Sequence, residues 1–235
     1  MDLYELFLGT GGWGLLLTKA ALLTLAVAAV GLLIGAVLGV ALAFARITGG
    51  ATLRLLADAY TTILRGVPDL LVIYLLYFGG SSVLSGIGSA MGYTGFIGMP
   101  SFATGVIALG IVSAAYQAEV YRGAYYALPH GELEAARAAG MRRTLIFHRI
   151  IAPQVMRHAL PGLGNVWQLV VKESALISVI GLVELMRASQ LGAGSTRMPF
   201  VFYAAALVLY LVITSASSFL FARAEAISLK PYRRA

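Results

Sequence analysis

The chain has 235 residues, of which 60% are hydrophobic and only 11% charged, and it contains no cysteine. Its mean hydropathy is +0.87, and the charged fraction falls well short of the roughly 25% typical of a soluble domain. These values point to the membrane and exclude disulfides, thiolate metal sites and cysteine catalysis. The net charge of +7 therefore reports orientation rather than a nucleic-acid-binding face.

The N-terminal stretch "MDLYELFLGTGG" is acidic and lacks a basic n-region and a small-residue cleavage site, so the first span is expected to be retained. A membrane-crossing helix needs about 20 mostly apolar residues, and five segments qualify: 15–45, 59–80, 102–127, 160–185 and 200–222. The chain is thus predicted to be all-α, a single polytopic transmembrane domain. Within the first span, Gly31, Gly35 and Gly39 form GxxxGxxxG, a stripe that lets another helix approach closely.

Basic residues alternate along the chain. The turn after span one holds Arg46 and Arg54, and the segment after span three holds Arg137, Arg142, Arg143, Arg149 and Arg157. The tail adds Arg223, Lys230, Arg233 and Arg234, whereas residues 80–101 between spans two and three have no Lys or Arg. The preference of Lys and Arg for the cytoplasmic side places the N-terminus outside and the C-terminus inside.

The segment from 128 to 157 is then a cytoplasmic loop. Pro129 and Gly131 end span three. "ELEAARAA" follows, rich in good helix formers, and then Gly140, suited to a left-handed C-cap. "MRRTLIFHRII" reads as a second short helix limited by Pro153. Two arms about a glycine corner make an L-shaped cassette. Neither arm is long enough to be stable alone, so each needs a surface, and the residues by themselves leave open whether that surface is anionic lipid or a protein.

Ionisable residues inside spans are costly and are functional candidates by default. Glu119 in span three has Arg122 one turn on as an internal partner. Span four holds Lys172, Glu173, Ser174 and Ser178, besides Asn165, Trp167 and Gln168. Lys172 and Glu173 are adjacent and so do not face one another on a helix. Glu173 suits the cationic head of a basic amino acid, with Ser174 or Ser178 as a hydrogen-bonding partner. Asp69, after Pro68, can instead tie down the start of span two.

The cassette resembles the EAA loop of permease subunits in bacterial ATP-binding cassette importers. That pattern is Glu-Ala-Ala, three residues, Gly, nine residues, then Ile-x-Leu-Pro; here it is Glu134-Ala135-Ala136, Gly140 and Ile150-Ile151-Ala152-Pro153. Ala152 departs from the pattern's leucine. "LRGVPDLLVIYLLYFG", "AYQAEVYRGAYYALPHGELEAA", "LPGLGNVWQLVVKESALISVIGLVEL" and "SQLGAGSTRMPF" are similar to polar amino acid uptake permeases, especially those for histidine, lysine, arginine and ornithine and for octopine and nopaline. The resemblance covers about residues 18–225.

It implies the MetI-like fold of type I importer permeases, located in the bacterial inner membrane. It also implies a second, non-identical permease, an ATPase dimer docked on the EAA loop through Glu134, Ala135, Ala136, Gly140, Ile150 and Pro153, an external solute-binding protein, and a polar or basic amino acid as substrate. The chain lacks a GxxxxGK[ST] phosphate loop, so ATP is expected on the partner, with no cofactor and no enzymatic activity here. Glu173, Ser174, Glu119 and Ser178 are the candidate substrate-path residues. Two other classes stand beside this reading: a secondary transporter driven by an ion gradient through Glu119 and Glu173, and a membrane scaffold without transport activity.

Overall fold

The structure, a computed structural model, describes residues 3–9 and 12–229. The basic tail residues Lys230, Arg233 and Arg234 used for the orientation argument lie outside the described residues, as do Met1 and Asp2. Among the described residues the fold is helical throughout: α1 Leu3–Leu8, α2 Trp13–Thr48, α3 Ala51–Gly66, α4 Asp69–Ala90, α5 Ser101–Tyr126, α6 His130–Ala138, α7 Arg143–Ile180, α8 Leu185–Thr196 and α9 Pro199–Leu229. Five of these, α2, α4, α5, α7 and α9, are long and apolar enough to cross a membrane.

The central unit is the pair α2–α5. The two helices run parallel, and the small-residue stripe makes the seam. Gly31 lies against Leu109, Gly35 against Ser113 and Gln117, and Gly39 against Gln117 and Ala118. Close approach exposes α2 carbonyls to polar side chains of α5: Gln117 Nε2 donates to Leu32 O at 3.0 Å and Ser113 Oγ to Gly31 O at 3.4 Å. A Cβ at Gly35 would collide with the Ser113 hydroxyl. Around this pair, α7, α8 and α9 complete a core of Val27, Ala28, Ala108, Val170, Ile177, Leu185 and Phe202. The outward face of α9 leaves Leu207, Val208, Leu211, Val212 and Leu220 more than half exposed, as befits a surface toward lipid or another apolar helix.

Two span boundaries differ from the sequence expectation. The second span does not begin near Ala59. Residues 51–66 form a separate amphipathic helix, α3, and the membrane helix starts at Asp69 and runs to Ala90. Pro68 cannot donate a backbone hydrogen bond and drives Val67 into an extended conformation (φ −99°, ψ 140°), so the helix restarts there and extends through the Gly/Ser stretch expected to be loop. The fourth span does not begin at Leu160, either. The second arm of the cassette continues unbroken from Arg143 to Ile180, so Pro153 does not stop it. A π-turn at Phe147–Ile151 precedes this proline, which occupies the first turn of the α-helical stretch that follows. First-turn N–H groups need no intrahelical acceptor, so the missing donor is tolerated. The span ends at Gly181, whose φ of +90° turns the chain, and Leu185 already belongs to α8.

Candidate functional site

The cassette forms one end of the bundle. α6 closes with Gly140 at φ +74°. Gly140 N donates to Arg137 O (3.0 Å) and Met141 N to Ala136 O (3.1 Å), the paired bonds of a Schellman cap. Met141 then folds back with Ile150 and Ile151 onto a small core of Leu133, Ala136 and Ile146. Across the corner, Gln154 Nε2 donates to Glu132 Oε2 at 2.5 Å. The cassette is therefore an L whose inner faces pack on each other, one arm of which is the start of a membrane helix. Of the motif residues, Ala136 is buried and Ile150 half-buried in this core, while Glu134, Ala135, Gly140 and Pro153 face outward.

The four substrate-path candidates are not brought to one place. Glu173 is buried in the far half of α7 with its Oε2 lacking any hydrogen-bond partner. Its carboxyl stands against that of Asp69, at the start of α4. Tyr116 of α5 feels the charge of both acids, and the Arg65 guanidinium lies 5.7 Å from the Tyr116 ring centroid. A buried carboxyl with a half-buried one against it favours a cation between them, since a buried negative charge is costly without a partner. Lys172, next in sequence, points to the surface.

Ser174 donates to its own helix at Val171 O (2.7 Å). It lies with Ser178 in the 3-10 turn that ends α7, and its bond to Val171 O points its hydroxyl back along its own helix rather than at the acid pair. Gln168 bridges to α9 through Thr214 O (3.1 Å) and Ser218 Oγ (2.9 Å).

Glu119 is elsewhere, and its carboxylate is already occupied. Arg46 Nη1 reaches Oε1 at 2.5 Å, Arg65 Nη1 the same oxygen at 3.5 Å, and Arg122 Nη2 reaches Oε2 at 2.8 Å. Arg46 also pairs with Asp58 at 2.5 Å. The expected Glu119–Arg122 contact is thus one edge of a five-charge network that joins α2, α3 and α5, which argues for a structural tie rather than a free acceptor.

Glu184, which follows span four's polar residues in the sequence, is fully buried. It caps α8 by accepting from Met186 N and Arg187 N (2.9 Å each) and takes Tyr210 OH at 3.2 Å and Thr24 Oγ1 at 3.4 Å. All of its neighbours are donors, so it pins α2, α8 and α9 together. Its sequence signal was a lone acid followed by a helical run. Among the described residues no group of His, Cys, Asp and Glu could hold a metal ion.

Comparison with known proteins agrees with this architecture. The family described as binding-protein-dependent transport system inner membrane component matches residues 31–225. The octopine transport system permease protein OccQ of Rhizobium meliloti is 57% identical over 226 residues, covering 96% of this chain and 95% of the relative. The histidine/lysine/arginine/ornithine transport system permease protein HisQ of Escherichia coli is 38% identical over 88% of this chain and 90% of its own length. A crystal structure of an amino acid ABC transporter with histidines superposes with a TM-score of 0.77 at 31% identity, over 91% of this chain and 94% of that one.

Proposed function

The chain belongs to the binding-protein-dependent transport system inner membrane components, a multi-pass permease family, and from that membership we propose how it imports and what it carries. It is a permease subunit of an ATP-binding-cassette importer for amino acids or opines. ATP is hydrolysed by separate ATPase subunits that dock on the cassette, with the exposed Glu134, Ala135, Gly140 and Pro153 offered to them and Ala136 and Ile150 holding the core beneath. A second, non-identical permease completes the path, and a solute-binding protein delivers substrate from the side opposite the cassette. The N-terminus lies outside and the C-terminus in the cytoplasm, consistent with the basic cassette.

The substrate is a polar amino acid or opine with a cationic head. One observation carries this: the buried carboxyl of Glu173 and the half-buried carboxyl of Asp69 face each other, with one oxygen of Glu173 left unpartnered. A guanidinium or ammonium entering between them supplies the missing donors. Closure of the ATPase dimer draws the docked cassettes together and tilts α7, which carries Glu173. The matched family, the relatives and the solved structure give no support to ion-gradient drive.

The test is uptake by the complex reconstituted in proteoliposomes. Transport that requires both ATP and the binding protein, and that falls in Glu173→Gln while the ATPase still co-purifies, is the expected result. Uptake driven by a proton or sodium gradient without ATP would overturn it.

A further inference from the structure

The stretch "LRGVPDLL" sets a positive and a negative group on either side of a helix break, and the acid pair uses only the negative one. Arg65 lies in the last turn of α3, and Asp69 opens α4 after Val67 and Pro68. Among the described residues no ion pair joins Arg65 to Asp69 or to Glu173.

Arg65 belongs only loosely to the charge network around Glu119. Its Nη1 stands 3.5 Å from Glu119 Oε1, an oxygen that Arg46 Nη1 already holds at 2.5 Å. Arg46 and Arg122 both donate hydrogen bonds to the Glu119 carboxylate, whereas Arg65 makes none among the described residues. The network sets three guanidiniums against two carboxylates, Asp58 and Glu119, so one positive charge is left over. It falls to Arg65, whose side chain is the most exposed of the three at 46%.

The guanidinium is nevertheless held in place. It lies 5.7 Å from the Tyr116 ring centroid, within cation–π range, and its N–H donors remain available. Tyr116 also feels the charges of Asp69 and Glu173. One ring thus has two acids and one guanidinium as neighbours. Two acids alone would suit any amine. A site with both signs around a common ring suits a molecule that carries both, and an amino acid has a carboxylate beside its cationic groups. The planar guanidinium matches a carboxylate with two parallel donors.

We propose that Arg65 receives the carboxylate of the transported amino acid, which lies along Tyr116 with its cationic head between Asp69 and Glu173. The inference rests on the reading of the acid pair as the cation site and adds to it a requirement for a free carboxylate, so that an amine of the same shape is a poorer ligand.

The experiment uses the assembled importer in detergent without its binding protein, so that only the membrane site is read. Binding of L-arginine and of agmatine, its decarboxylated form, is measured by isothermal titration calorimetry. The native complex is expected to bind L-arginine about tenfold more tightly than agmatine, the size of one charge-assisted contact. Arg65→Gln removes that preference by weakening L-arginine without weakening agmatine, whereas a purely structural loss would weaken both. Arg65→Lys, which keeps the charge, restores part of the preference. Equal binding of the two probes by the native complex, or a preference that survives in Arg65→Gln, overturns the proposal. The acid-pair reading fails separately, if Glu173→Gln leaves agmatine binding unchanged, and a native complex that binds neither probe counts against both.

Discussion

On the proposed function, Asp69 and Glu173 hold the cationic head of the substrate, so selectivity for that head rests on two side chains. Removing one partner of a buried, hydrogen-bonded charge contact costs about 2–5 kcal/mol, so Asp69→Asn and Glu173→Gln should each reduce uptake of a cationic substrate by at least an order of magnitude, with ATPase co-purification intact. Radiolabelled uptake in proteoliposomes checks this. Gly140 is the other decisive residue. Its φ of +74° costs any L-residue about 1–2 kcal/mol, so Gly140→Ala opens the cassette corner. It should insert in the membrane normally and pull down less ATPase, as should Glu134→Lys. Of these features Gly140 was legible in the sequence, because a Schellman corner is written in consecutive residues. The acid pair was only half legible. Glu173 stands out as a carboxyl in a span, but its partner sits on a different helix, and no local spacing links α4 to α7. Glu119 was misread in emphasis for the same reason: Arg122 is visible one turn away, whereas Arg46 and Arg65 come from other helices.

At the level of elements, the parallel α2–α5 seam depends on glycine more than on apolar bulk. Gly35→Val drives two methyls into Ser113 and Gln117. Overpacking of this kind costs about 1–3 kcal/mol, and a lowered melting temperature in detergent is expected, whereas Gly66→Ala, with nothing near its added carbon, is expected to be neutral. Glu119→Gln keeps one accepting oxygen but removes the negative charge that Arg46, Arg65 and Arg122 share, while Arg46 retains Asp58. Because these groups are partly exposed, a loss of about 1–2 kcal/mol is expected rather than the full cost of a buried pair, read as looser docking of α3 by hydrogen exchange. The small-residue stripe was plain in the sequence. The limits of spans two and four were not, because hydropathy averages over a window. It smooths across the Val67–Pro68 break, and it is blind to a proline that falls in a first turn and leaves the helix running.

For the molecule as a whole, the absence of native cysteine makes sidedness directly measurable. Tyr93→Cys, in the exposed connection after α4, should react with an impermeant maleimide in intact cells, and Arg143→Cys, in the cassette, only after permeabilisation. The number of spans and the family were readable from composition and motif, while the way α3 and α8 brace the ends of the bundle required the tertiary contacts. The unbroken run of α7 has a mechanical consequence. From Ile150 to Glu173 a helix measures about 35 Å at 1.5 Å per residue. α7 contains the π-turn at Phe147–Ile151 and Pro161 in its interior, and a tilt of about 5° about its cassette end carries Glu173 sideways by about 3 Å, close to the length of a hydrogen bond. Asp69 rides on a separate helix and does not follow. On the proposed function, the docking arm and the carboxylate that holds the cargo are two ends of one crank, and a small throw at the ATPase would be enough to unclasp the cargo.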